Sequence, residues 1–223
     1  MPQQRDTHQN RLNRYTANGV IAFMFVTLVG AVGVAGGNWE REKISDDGIE
    51  LYTRSTPGTT VREVRAKVTI AAPPEVVLDA ACDPDSYKGT TKKYVKKNHF
   101  YHVKDPNVWY NYQLVDFPMV TKRDYTMRYE KKMDVEKGVY QLEWHVSDRF
   151  GPPPQDDVVR VTLVKGFIDI KPMKDGENSL MRYTLLADPG GNIPDWIINL
   201  ANRKSMPNIL REIRDSALKR VKK

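Results

Sequence analysis

The segment Asp188-Pro-Gly-Gly-Asn-Ile-Pro-Asp-Trp196 separates a series of alternating, strand-like stretches from one long segment that runs to the C-terminus. Pro194 stands where a helix needs no backbone N–H, and Asp195 places negative charge at the positive helix end, so a helix is predicted to begin there. Beyond it Trp196, Ile197, Leu200, Leu210, Ile213 and Ala217 recur at helical spacing and form one apolar face. Pro207 removes the N–H that would bond the carbonyl of Arg203, and its ring presses on that carbonyl, so a bend is expected between the two. The predicted element is a kinked helix lying over a sheet and closing a cavity.

The strands that precede it have a clear rhythm. Trp39 to Ile44 and Ile49 to Ser55 read as a hairpin about Asp46-Asp47-Gly48, and Val61 to Ile70 as a longer strand with Val64, Ala66, Val68 and Ile70 on one side. Pro73 and Pro74 open a helix over about Glu75 to Cys82, followed by a second helical turn near Ser86 to Thr91. Strands return at Tyr94 to Val103, Val108 to Val115, Tyr125 to Met133, Val139 to Ser147, Val158 to Ile170 and Leu180 to Leu186, joined by Pro- and Gly-bearing turns. Alternation puts Tyr125, Met127 and Tyr129 on one face of their strand, and Tyr140, Leu142, Trp144 and Val146 on one face of the next. Val159, Val161 and Leu163, then Met181, Tyr183 and Leu185, continue the set. Periodicity alone leaves two readings of this face: a packed core, or the wall of a cavity.

From Ala17 to Gly37 there is no charged residue, and Arg5, Arg11 and Arg14 precede the run. That order is the one secretion machinery reads, with Gly33 and Ala35 small enough for a cleavage site. An uncleaved N-terminal anchor is the alternative, because the full run is about long enough to span a bilayer. Either way the residues after Asn38 are expected outside the cytoplasm. Three of the 35 Lys and Arg and one of the 28 acidic residues lie in that N-terminal part, so the net charge of +7 falls to +5 for the remainder. A mildly basic domain favours contact with anionic membrane surfaces. Cys82 is the single cysteine and sits in an apolar stretch, which excludes an internal disulfide and makes a buried thiol the expectation.

Catalytic signatures are sparse. His99 and His102 point to opposite faces of one strand and cannot share a metal, and His145 is out of phase with Trp144. The chain has no Gly-x-Ser-x-Gly elbow and no phosphate-binding glycine loop. No metal, cofactor or nucleic acid is expected.

Three motifs carry a resemblance. Asn111-Tyr-Gln-Leu-Val-Asp-Phe-Pro118, Thr121-Lys-Arg-Asp-Tyr125 and the Asp188–Trp196 segment, with Asn199 and Pro207 following, resemble a bacterial START domain, the steroidogenic-acute-regulatory-related lipid-transfer domain. The segment Trp39 to Arg54 resembles the start of such domains, so the likeness covers roughly Trp39 to Lys223. The resemblance implies an α+β helix-grip fold: a curved antiparallel sheet wrapped around the long C-terminal helix, with two short helices after the third strand and a lipid-sized tunnel between sheet and helix. It further implies a cavity wall of Tyr110, Tyr112, Tyr125, Met127, Tyr129, Leu142 and Trp144, continued by Val161, Leu163, Met181 and Tyr183 and closed by Trp196, Leu200 and Leu210 of the helix. Aromatic rings with a polar tip suit a wall that meets both hydrocarbon and hydroxyl groups.

Phe117 and Met119 in one loop and Phe150 in another are the implied gate tips, and Arg123 with Asp124 is the implied polar anchor, an ion pair fixing the gate or orienting a head group. The expected function is binding and transfer of one hydrophobic lipid (phospholipid, fatty acid or sterol-like) by a monomer that touches membranes. A polyketide cyclase or aromatase, built on the same fold, is the alternative.

Overall fold

A computed structural model describes residues 37–222 apart from 88, 90–93 and 175. The apolar stretch expected to serve as export signal or anchor lies, apart from Gly37, outside the described residues, as does half of the second helical turn. Among the described residues no helix is long and apolar enough to cross a membrane.

Chain order is β1 (Glu40–Ile44), β2 (Glu50–Thr56), β3 (Thr59–Ile70), α1 (Pro74–Cys82), a 3-10 turn (Pro84–Tyr87), β4 (Val95–His102), β5 (Val108–Val115) and β6 (Lys122–Asp134). It continues with β7 (Val139–Val146), β8 (Val158–Arg160), β9 (Leu163–Pro172), β10 (Ser179–Asp188) and α2 (Asp195–Val221). The strands form one curved sheet in the order β1-β2-β3-β10-β9-β7-β6-β5-β4, antiparallel along this path.

One stretch departs from expectation. Val158 to Ile170 is two strands, and the first of them, β8, pairs parallel with β6 through Lys122↔Val158 and Asp124↔Arg160. The reason is register. β7 covers β6 only from Met127 to Asp134, so the start of β6 has a bare edge that β8 completes.

The main core lies on the sheet face that carries both helices. Val77, Leu78, Ala80 and Ala81 of α1 and Met206, Leu210, Ile213 and Ala217 of α2 pack there against Val64, Ala66, Val68, Ile70, Ile168 and Ile170. The buried stripe of α2 differs from the predicted one at its start. Carried back at 100° per residue, the Leu210–Ile213–Ala217 face reaches Met206, Asn202 and Asn199, whereas Trp196 is 67% and Ile197 40% exposed. The stretch of α2 from Asp195 to Asn202 is therefore seated largely by hydrogen bonds. The Asn199 Oδ1 accepts from the Arg62 N–H at 2.8 Å, the Asn202 Nδ2 donates to the Ala187 carbonyl at 2.9 Å, and the Thr60 hydroxyl donates to Asp195 at 2.6 Å. Ile198, with Val61 and Leu186 and flanked by Leu163 and Ile193, adds a small apolar cluster there.

The β1–β2 turn straps the other side of α2. Arg211 and Arg214 both donate to the Asp47 carboxylate, at 2.8 and 2.7 Å. Hydrogen bonds from Arg211 first, then from the Ser45 hydroxyl, hold that carboxyl well below the usual carboxylate range. A depressed folded-state pKa adds stability above the unfolded value near 3.9 and loses it as pH falls. The strap is accordingly expected to hold from neutral pH down to about 4 and to loosen below it. Asp47→Asn should remove this acid dependence at a cost of about 1 kcal/mol or less, because the pair is partly solvated, and hydrogen exchange across residues 40–56 measures it.

Candidate functional site

Cross-strand register decides which side chains share the helix-covered face, called inner below. Trp109 pairs with Tyr129, Asn111 with Met127 and Gln113 with Tyr125. Tyr129 in turn opposes Trp144, Trp144 opposes Gly166, and Ile168 opposes both Leu142 and Tyr183. Met127, Leu142, Trp144 and Met181 are buried in the core, and Leu210 of α2 reaches the same cluster. Tyr125, Tyr129 and Tyr183 pack against it while half-buried.

The rings form a row across the sheet. Trp109 stacks on Tyr129 at 5.4 Å, Tyr129 meets Trp144 at 6.4 Å, and Trp144 meets Tyr183 at 5.1 Å. Gly166 makes this row possible, since a Cβ there would sit 2.4 Å from the Trp144 ring.

Packing loosens along this face. Near α1, Tyr140, Leu142, Ile168, Ile170 and Met181 are all closed off from solvent. Away from it Trp109, Tyr125, Tyr129, Val146, Val164, Tyr183 and Leu185 each keep accessible surface. Tyr125 and Tyr183 have protein packed around them, and burial drives both phenols up, Tyr125 to about 12. These side chains therefore share the inner face without being sealed by it.

Tyr110 and Tyr112 are corrections. They pair with Arg128 and Thr126 and lie on the outer face. The loop after β7 covers them: Phe150 stacks on Tyr101 at 4.9 Å and meets Tyr110 edge-on at 4.8 Å, while the Thr126 hydroxyl donates to the Phe150 carbonyl at 2.7 Å. β5 carries no charge on either side and is packed on both, so its alternation has no polar side to mark solvent. Phe150 is likewise packing, half-buried on that outer face, and not an exposed gate tip. Phe117 and Met119 do project, at 41% and 102% exposure, with Met119 held at φ 66°.

The expected Arg123–Asp124 pair does not form, because neighbours in a strand point to opposite faces. Asp124 is buried on the outer face, where Arg160 grips it with Nε at 2.7 Å and Nη2 at 3.0 Å and the Tyr112 hydroxyl donates at 3.1 Å. Burial, reinforced by the Asp124 charge, pushes Tyr112 up to about 12. Arg160 was not marked by the sequence, since no local spacing ties it to a partner in another strand.

Arg123 is 3% exposed and donates to the carbonyls of Thr121 and Gly190. It thereby joins the Phe117–Met119 loop to the segment leading into α2. Gly191, at φ +73°, leaves room for its guanidinium: a Cβ would lie 3.3 Å from Nη2.

The remaining wall residues scatter. Val161 is buried just past β8, its amide donating to the Asp124 carbonyl, and Leu163 packs with Val61 and Leu186 in the second cluster. Leu200 is half-buried, and Trp196 is out in solvent. The residues that periodicity passed over are Trp109, Asn111 and Gln113, the inner set of β5. An open groove of about 560 Å³ runs along α2 beside Gly89, lined by Ala201, Lys204, Ser205, Asn208, Arg211 and Glu212. Most of its lining side chains are polar types, and it shares no residue with the aromatic row.

The sequence profile described as START domain matches residues 27–223. The chain belongs to the START family. The human phosphatidylcholine transfer protein is 27% identical to this START protein over 197 residues, covering 85% of this chain and 88% of the relative. An uncharacterised protein of Pseudomonas aeruginosa is 26% identical over 211 residues, covering 88% and 97%. Among solved structures, the STAR-related lipid transfer protein from Xanthomonas axonopodis superposes with a TM-score of 0.67 at 20% identity, over 81% of this chain and 99% of that one. Human STARD10 gives 0.67 at 16% identity over 81% and 73%. These likenesses establish the helix-grip fold for the START domain described above.

Proposed function

We propose that this START domain is a non-catalytic carrier that holds one hydrophobic lipid between the inner sheet face and α2. The carrying observation is the half-buried aromatic row, above all Tyr125 and Tyr183, which keep accessible surface while set deep in the protein. Ligand pockets run to roughly 300–1,000 Å³. A dry apolar void of about 500 Å³ would cost on the order of 12 kcal/mol at the slope seen for cavity-creating substitutions, an upper bound comparable to a whole domain's stability. Filling it with hydrocarbon removes that cost. The relatives named for phosphatidylcholine transfer support lipid as the cargo class.

The carrier works as a monomer outside the cytoplasm, and the location rests on the uncharged run after Arg14. It exchanges cargo at a membrane surface, which Phe117, Met119 and Trp196 touch with exposed apolar side chains. Replacing Phe117 and Met119 together by Ser is expected to slow lipid transfer between vesicles by about five-fold at a cost of about 1 kcal/mol or less in stability, since neither side chain is in the core and Phe117 packs only on Tyr94 at 4.6 Å among the ring contacts described. An unchanged transfer rate would remove these tips from the exchange step. Native mass spectrometry of the full-length chain, followed by lipid extraction, tests the cargo: a lipid bound one to one is the expected result, and a protein that carries none counts against it.

A further inference from the structure

On the inner face, the hydrogen-bonding groups around the hollow are uncharged. The inner-face cations Lys131 and Arg123 both lie on β6, three strands from Tyr183. Lys131 is paired with Asp79 of α1 at 2.7 Å, and Arg123 donates to two backbone carbonyls while its buried Nε has no partner among the described residues. The uncharged polar groups of this face are Asn111, Gln113, Tyr125, Tyr129 and Tyr183.

Two of these polar groups already bond across strands. The Asn111 Nδ2 donates to Asn98 at 2.6 Å and to the His99 carbonyl at 3.2 Å, and the Tyr125 hydroxyl donates to the Gln113 Oε1 at 2.7 Å. Tyr183 differs. Its ring is fixed against Trp144 at 5.1 Å, yet no described residue bonds its hydroxyl, and that oxygen is not among the sealed, partnerless atoms of the interior. It therefore keeps accessible surface on the face that the lipid reading makes the wall of the hollow. Burial first, and then the neighbouring Tyr129 and Tyr125, disfavour a Tyr183 phenolate, so the group stays a neutral donor and acceptor.

We propose that the Tyr183 hydroxyl is the hydrogen-bonding point for an uncharged oxygen function of the cargo, a lipid hydroxyl or an ester or ketone carbonyl. This rests on the reading of the hollow as a lipid site and deepens it. A carboxylate or phosphate at the Tyr183 hydroxyl would lie three strands from the inner-face cations of β6, and desolvating such a charge without a partner is strongly unfavourable. A hydroxyl or carbonyl is matched by a phenol that can both give and accept.

The test loads the full-length chain with 1-hexadecanol, hexadecane or hexadecanoate from cyclodextrin at pH 8 and reads occupancy by native mass spectrometry. Tyr183→Phe, which removes one oxygen and keeps the ring, is expected to weaken hexadecanol binding by roughly 3- to 10-fold, the worth of one hydrogen bond, and to leave hexadecane within about two-fold. Hexadecanoate is expected to bind the unaltered protein more weakly than hexadecanol. Equal losses for alcohol and alkane, no loss for the alcohol, or preference for the carboxylate would each overturn the assignment while the hollow stands. If neither alcohol nor alkane loads the unaltered protein, the hollow itself is refuted, and the assignment with it.

Discussion

Asp124→Ala is expected to destabilise the domain by about 3 kcal/mol, because it removes both carboxylate bonds of the Arg160 guanidinium and leaves the buried Tyr112 hydroxyl without its acceptor. The Asp124 side chain is 1% exposed, so water does not readily take its place. The same guanidinium donates to the Pro152 carbonyl at 2.9 Å, so the loop after β7 loses one of its ties when Arg160 is released. Chemical denaturation of the variant measures the loss, and a double-mutant cycle with Arg160→Ala isolates the pair. A loss under about 1 kcal/mol would put the pair in the class of solvated surface bridges.

Gly166→Ala is the second large effect. The added methyl group would sit 2.4 Å from the Trp144 ring and 2.5 Å from the Thr184 carbonyl oxygen. The ring could turn aside, but the carbonyl belongs to the neighbouring strand and cannot yield without breaking the β9–β10 ladder. Overpacking of this kind costs about 3 kcal/mol. Because Trp144 joins Tyr129 to Tyr183, lipid loading should fall along with stability. A variant as stable as the parent, with an unshifted tryptophan spectrum, would show that the row tolerates displacement.

The helix-grip order was legible because its signals are local. Pro194 and Asp195 mark the start of α2, Pro73 and Pro74 open α1, and strict alternation fixes the inner faces of β6, β7 and β10. β5 was misread because Val108-Trp-Tyr-Asn-Tyr-Gln-Leu-Val115 has apolar residues on both sides, and only the register with β6 decides between them. The start of α2 was misread for the opposite reason. Asn199 and Asn202 hold the buried stripe where apolar residues were expected, and their bonds to the backbones at Arg62 and Ala187 depend on tertiary placement. Arg160 could not be paired with Asp124 from spacing, since the parallel contact of β8 with β6 arises only after a long loop returns to the bare edge.

Tryptophan quenching by brominated lipid reads the central claim directly. The full-length chain has four tryptophans. In the W39F/W196F variant the two that remain, Trp109 and Trp144, lie on the inner face. Incubation with vesicles of acyl-brominated phosphatidylcholine is expected to quench them strongly, with the quenching retained after the protein is separated from the vesicles. Unquenched emission after exposure to the brominated lipid, beside a folded circular dichroism spectrum, would contradict a lipid held between the sheet and α2.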